Sequence, residues 1–492
     1  MNPWKLQTST KRIEESLRNL RAEDIRIYEG RALPADLERI GLKEGYRTHG
    51  AHAYVDMVAP GALLSSGEAE SATVHQRALK FLNLYQRLAH KVLATGPGRK
   101  IDFQNERLHF YVPGDAGDSG RAVAEAVALA HSLLEVVAGT KQLHENLKMT
   151  PKFGVGIEVG TSIAVRNGTN GDREPLFIGN PANQAAKQAQ WRTGIFLGAE
   201  ARAALGLEAS APKATALTAA EIATSVAKAT PYSVDGLIKQ WQQEATELLQ
   251  TDFKFHRPKG ELADLDLAVL TPANTARVEC IALRADIDGF TAYVANSIRT
   301  ASGERDAIRL LHVVRKELRD IFHDFGGRKL RYLGDCLEGI IVVGAGKTQE
   351  RETAALACAG AGAMRSAFKE VQRLEPKAGT LGLQIGLEFG PVSIAMLGVS
   401  AARNITALGR AIVAAEKKQA SCTGDQTAFG SVAIALLPAA IAAKLDADGR
   451  WTGADANAVG HLLKDGGAEA SSFNYGASSP SRESGSRAFS GW

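Results

Sequence analysis

"LRADIDGFTAYV" (residues 283–294) is the stretch on which the reading of this chain turns. Ile281, Leu283 and Ala285 lead into it with the alternation of a half-buried strand. The alternation stops at Asp286-Ile287-Asp288, and Gly289 then opens a helix-like run. Two carboxylates and a glycine at the end of a core strand read either as a solvated turn or as a site for a hard cation. The stretch alone leaves both readings open.

Moving outward, the chain matches itself at an offset of 230 residues, which brings Asp56 onto Asp286 and "VGIEVG" (155–160) onto "IGLEFG" (385–390). Gly179 falls on Gly409, Lys187 on Lys417 and Thr193-Gly194 on Thr423-Gly424. A register held across that many glycines and turns marks a duplicated domain. Each copy reads as strand (51–58; 278–287), helix (75–92; 304–325), two-stranded ribbon (100–113; 328–343), helix (119–137; 351–373) and strand (153–160; 382–390). A further helix (182–190; 411–420) completes each unit. That order predicts an α+β fold of two tandem ferredoxin-like domains, with helices on one face of an antiparallel sheet. The expected organisation is a helical extension over 1–45, a first domain over 46–272 with a surface insertion near 208–230, a second domain over 273–470, and a Ser/Gly-rich mobile tail over 471–492.

In the second copy, "RKLRYLGDCLEGIIVV" (328–343) sets Gly334-Asp335 between two apolar strands, as a hairpin tip would. The first strand and the hairpin strands are sheet neighbours in this fold, so Asp286 and Asp335 are expected side by side. Two convergent carboxylates repel unless a cation joins them, and oxygen ligands suit Mg2+ or Mn2+.

The bulk properties narrow the class. Over 492 residues, a net charge of +4 and 23% charged residues give no nucleic-acid footprint. Four scattered cysteines form no CxxC pair and suit a reducing compartment. The N-terminus lacks the apolar core of a signal peptide, and "SVAIALLPAAIAA" (431–443) is too short to span a membrane. A cytoplasmic protein without a membrane partner is the expectation. His75, His109, His312 and His323 show no ligand spacing and read as structural.

"ADIDGFT", "LGD" 49 residues later and then "IGLEFGPV" resemble the catalytic domain of class III nucleotide cyclases. In that family two such domains meet head to tail and build the site at their interface. The resemblance implies that Asp286 and Asp335 hold two divalent ions, Mn2+ or Mg2+, assisted by the Ile287 carbonyl. It also implies that the amides of Gly289, Phe290 and Thr291 cradle the triphosphate, with Lys259 as a further phosphate ligand. Asn183 matches the family's transition-state asparagine, and Lys187 stands where the family has arginine. The first copy is expected to be metal-poor because Asn105 falls where the second copy has Asp335. One complete site per chain follows, with the metal half and the transition-state half fused as a pseudo-heterodimer.

The positions with which adenylate cyclases read adenine fall on Ile101 and Leu176, which cannot hydrogen-bond a purine edge. With Tyr293 after "DGFTA", the pattern is similar to the bacterial pyrimidine cyclases of Pycsar anti-phage defence. Tyr293 is expected to narrow the base pocket, and Arg331, at the equivalent hairpin position, to face the mirror-related site. The resemblance implies UTP or CTP as substrate, a cyclic product such as cyclic UMP, and a separate effector for that product. An adenylate cyclase and a silent nucleotide-binding module are the alternatives.

Overall fold

A computed structural model describes residues 4–58, 63–64, 68–168, 174–190, 192–208, 215–258, 262–343 and 349–465. Lys259 and the tail from 471 lie outside the described residues.

The first half runs α1 (Leu6–Asn19), β1 (Arg26–Tyr28), β2 (Glu44–Met57), α2 (Ala72–Leu93), β3 (Arg99–Gln104), β4 (Arg107–Pro113), α3 (Ser119–Gly139) and α4 (Lys141–Glu145). It continues with β5 (Phe153–Asn167), β6 (Glu174–Ile178), α5 (Asn180–Ala189), β7 (Gly194–Leu197), α6 (Ala199–Ala204), α7 (Ala219–Lys228) and α8 (Val234–Leu249). The second half opens with β8 (Phe255–His256), β9 (Thr275–Asp288), α9 (Phe290–Ser297), α10 (Ala301–Asp324), β10 (Arg328–Leu333), β11 (Cys336–Ile341), α11 (Gln349–Leu374) and β12 (Gly382–Leu397). It closes with β13 (Asn404–Leu408), α12 (Arg410–Ala420), β14 (Gln426–Phe429), α13 (Ser431–Leu436), α14 (Ala439–Ala442), β15 (Arg450–Thr452) and α15 (Ala456–Asp465).

Two sheets result. One has the order β3-β4-β2-β5-β6 and the other β10-β11-β9-β12-β14-β15. Alternation along the central strands decides their faces: Ala51, Ala53 and Val55 are fully buried in the core with α2 and α3, while His52 and Tyr54 point to the opposite face. Helix α3 is long and apolar enough to span a membrane, but most of it is buried in this core.

The halves do not begin where the sequence reading put them. β1 pairs in parallel with the start of β2, and β8 pairs in parallel with the start of β9. Asp36 and Asp266 each cap a short 3-10 turn between those strands, accepting from Glu38 N–H and Ala268 N–H. Phe255 and His256, which fall within the expected first domain, therefore belong to the second sheet. The extension over 1–45 is likewise a helix followed by a strand rather than helical throughout. Within the expected insertion, Thr218 and Glu221 form a capping box that starts α7, which packs on α3.

The offset of 230 also fails in one place. Val55 and Ala285 are 230 apart, yet the residues they pair with, Leu108 and Leu337, are 229 apart. Both hairpins share a bulge, Lys100/Asp102 in one and Lys329/Arg331 in the other, again 229 apart. The central strands β2/β5 and β9/β12 keep 230, with Val155 and Ile385 facing Val55 and Ala285. Each hairpin residue therefore has a different counterpart from the one identity matching assigns.

Candidate active site

The Asp335 hairpin is a two-residue turn. Leu333 pairs with Cys336, and Gly334 takes φ 65°, a conformation that favours glycine. Pairing of Leu337 with Ala285 brings the tip beside the end of β9. The backbone N–H of Ile287 donates to both the Asp286 and the Asp335 carboxylates. Burial raises both groups, Asp286 to about 6 and Asp335 well above the usual carboxylate range, Asp335 also through the Asp286 charge. Gln419 Nε2 donates to Asp286 Oδ2 at 3.3 Å. Arg284, two residues before Asp286 on the same strand, is committed to Glu338 and Glu416 at 3.0 and 2.8 Å. Among the described residues neither half-buried carboxylate has an ion-paired cation, which fits a divalent metal whose remaining ligands come from substrate phosphates. Among the described residues no group of three His, Cys, Asp or Glu side chains could hold a metal by itself.

Asp288, the second acid of the opening stretch, is the last residue of β9, and its carboxylate accepts from Gly424 N–H at 2.7 Å. Gly289, at φ 80°, ends the strand and starts α9. The free amides of Phe290 and Thr291 lie in the first turn of α9, where an anion binds readily. Phe290 itself is buried, and Tyr293 stacks on it at 6.0 Å.

Tyr293 does not join the other base-pocket candidates. It lines a separate cavity of about 570 Å3 with Thr300, Asp306 and Lys377, on the outer side of α9. The expectation that it narrows the base pocket is corrected by this placement.

A cleft of about 690 Å3 lies between the two sheets. It brings together Ile101, Leu176 and Asn183 from the first half with Arg331, Tyr332 and Gly334 from the second. α5, which carries Asn183, packs against α9. Lys187, one turn on, is exposed and outside the cleft lining. Arg331 is buried and fully engaged: it donates to Glu338 at 2.8 Å, to Asn105 Oδ1 at 2.7 Å and to the Ile405 carbonyl at 3.3 Å. It ties the two hairpins together as well as bordering the cleft.

The shifted hairpin register changes the first half's site. Asn105, at φ 58°, corresponds to Gly334, so Glu106 is the counterpart of Asp335. The first half thus carries a carboxylate pair, Asp56 and Glu106, and Glu106 is pushed up to about 7 by burial and by Asp56. The expected loss of the second acid through Asn105 is incorrect. What differs is Arg107, which donates to Asp56 at 3.0 and 2.7 Å where the second half has Cys336. By the same register the counterpart of Arg331 is Asp102, and Ile101 is the bulged residue beside it.

Sequence reading also missed Arg315. This fully buried side chain donates through Nε to the Gly334 carbonyl at 3.1 Å and through Nη1 to the Asn167 carbonyl at 3.3 Å. Its guanidinium lies 4.5 Å from the Tyr332 ring centre. One buried cation thereby links the Asp335 hairpin to the first half's β5. It sits in an amphipathic helix with no local motif, so no signal short of the tertiary structure singles it out.

No protein-family model matches the chain. It is 36% identical over 444 residues to a uridylate cyclase of Pseudomonas aeruginosa, covering 87% of this chain and 85% of that one. It is 32% identical over 437 residues to a uridylate cyclase of a Rhizobium species, covering 84% and 83%. A crystal structure of a class III adenylyl cyclase-like ATP-binding protein from Pseudomonas aeruginosa superposes with a TM-score of 0.86 at 33% identity, over 94% of this chain and 99% of that one. Carboxylates at a strand end and hairpin tip, a glycine-started helix beside them and these relatives agree: the chain belongs to the class III nucleotide cyclases and is a nucleotide cyclase.

Proposed function

We propose that the protein converts UTP to 3',5'-cyclic UMP and pyrophosphate, using one site formed between its two halves as a pseudo-heterodimer. The observation that carries this reading is the Asp286/Asp335 pair, which has no ion-paired cation among the described residues and adjoins a cleft bearing Asn183. The names of the two curated relatives support uracil as the base.

Asp286, Asp335 and the Ile287 carbonyl would hold two divalent ions, Mn2+ or Mg2+. When bound, these ions lower the pKa of the ribose 3'-hydroxyl and neutralise charge on the departing pyrophosphate. The amides of Gly289, Phe290 and Thr291 bind phosphate oxygens at the start of α9. Asn183 orients the ribose so that its 3'-oxygen stands in line with the α-phosphorus. Lys187 donates to the charge that develops on the α-phosphate, reaching it from the exposed face of α5. The 3'-oxygen bonds to phosphorus as the bond to pyrophosphate breaks, and no protein nucleophile takes part. In the first half Arg107 supplies to Asp56 the positive charge that a metal supplies in the second, so the mirror-related site is inactive. The cyclic product is a second messenger for a separate effector in anti-phage defence.

Incubation of the purified protein with Mn2+ and each of ATP, GTP, CTP and UTP, followed by mass spectrometry, tests the reading. Cyclic UMP is expected. A different cyclic nucleotide overturns the base assignment, and no cyclic product from any of the four overturns the activity.

A further inference from the structure

The duplication reaches back to the helices that precede the sheets. Ser9 and Ile13, buried on α1, lie 228 residues before Leu237 and Trp241, buried on α8. Ile27 of β1 and Phe255 of β8 keep the same spacing, beside Gly45 and Thr275 of β2 and β9. α1 and α8 are therefore equivalent helices. Each leads one repeat and packs on the other: α1 on α10 and α11, α8 on α2 and α3.

Their interfaces differ in kind. α8 buries Leu237, Trp241 and Ala245 in the apolar core of the first half. Beside Ile13, α1 sets a polar network against α10. Trp4 Nε1 donates to Ser9 Oγ at 2.8 Å, and Ser9 Oγ to Glu317 Oε1 at 2.5 Å. Arg12 donates to the two Glu317 oxygens at 3.1 and 2.7 Å and to Asp324 at 2.8 Å. Glu317 is 3% exposed, and burial raises it to about 7 despite Arg12. A buried ion pair returns little net free energy, and a helix of 14 residues is marginal alone. α1 is accordingly the more easily released of the two helices.

α10 carries the consequence to the active site. Two residues before Glu317, on the far side of the helix, Arg315 donates to the Gly334 carbonyl beside Asp335. Arg47 of β2 holds the first turn of α10 through Glu304, with two contacts of 2.8 Å.

We propose that α1 is a releasable strap that switches the cyclase. Docked, it holds α10, and through Arg315 the Asp335 hairpin, in the catalytic arrangement. Released, it leaves the hairpin without that support and the enzyme idle. Ser9, Arg12 and Glu317 are positioning residues and touch no substrate. The inference rests on the cyclase reading above.

The test uses the full chain as wild type, Arg12→Met and Arg12→Met/Glu317→Gln. It measures hydrogen exchange of the α1 amides and kcat with Mn2+ and the nucleotide that the wild type cyclises, UTP by the reading above. Exchange elsewhere in the chain establishes folding. Arg12→Met strands a buried carboxylate and is expected to speed α1 exchange about 100-fold and lower kcat about tenfold. Glu317→Gln removes that charge and keeps an acceptor for Ser9, so the double variant should regain slow exchange and about half of wild-type kcat or more. A kcat that follows α1 exchange across the three proteins sustains the proposal. Faster α1 exchange with wild-type kcat overturns it, as does wild-type exchange in Arg12→Met. Slow exchange with a low kcat in the double variant overturns it too. Failure of the wild type to cyclise any of the four nucleotides overturns the cyclase reading, and this inference with it.

Discussion

Arg107 closes on Asp56 with two hydrogen bonds to one carboxylate oxygen, at 3.0 and 2.7 Å, whereas the residue in the same register position beside Asp286 is Cys336. Both halves carry two acids at this corner. The difference between them is whether the chain supplies its own cation.

Exchanging that cation should alter metal stoichiometry. Arg107→Met is expected to leave Asp56 and Glu106 mutually repelling, as Asp286 and Asp335 are, and to add Mn2+ binding in the first half. Isothermal titration would register the added binding. Unchanged stoichiometry would mean that the geometry of Glu106, with its longer side chain, forbids metal regardless of charge.

The carboxylate pair gives a pH signature in the metal-free protein. Asp286 and Asp335 bind protons more tightly when folded than when unfolded, so deprotonation opposes folding. Stability is fully present below the ordinary carboxylate pKa of about 3.9 and is lost as pH rises through the folded value. For Asp286 that value is about 6. Metal-free Tm should therefore decline between about pH 4 and pH 7, and added Mn2+ should reverse the decline. Asp286→Asn and Asp335→Asn should flatten the profile, keep the fold and reduce turnover by about 1,000-fold or more. A pH profile unchanged by either substitution would remove the electrostatic basis of the metal site.

Arg315 should act on metal dependence through the hairpin. Arg315→Ala leaves the Gly334 and Asn167 carbonyls without their donor, each costing about 1–3 kcal/mol when buried. Lower Tm is expected, together with an Mn2+ requirement raised about tenfold, and Arg315→Lys should restore part of it. A fall in Tm with an unchanged Mn2+ requirement would confine Arg315 to packing.

Asn183 and Lys187 should differ in weight. Asn183 borders the cleft and Lys187 is exposed outside its lining. Asn183→Ala is expected to lower kcat about 100-fold with little change in KM, and Lys187→Ala to lower it about tenfold. Steady-state kinetics with UTP would measure both. The reverse order would show that α5 turns on substrate binding.

The sequence by itself determined the duplication, the placing of Asp286 and Asp335 at a strand end and a hairpin tip, and the glycine-started helix. These rest on local chemistry: an αL turn needs glycine, a strand shows alternation, and a helix start follows the glycine. Only the tertiary structure decided the hairpin register. The glycines that fix the 230-residue offset lie outside the hairpins, so a one-residue slip inside them leaves no trace in identity matching. Side chains alternate faces along a strand and a bulge breaks that alternation, so the slip changes which residues share a place. It makes Glu106 rather than Asn105 the counterpart of Asp335, and Asp102 rather than Ile101 the counterpart of Arg331. The same limit hid Arg315, whose partners Gly334 and Asn167 are 19 and 148 residues away and meet it only when the two halves pack together.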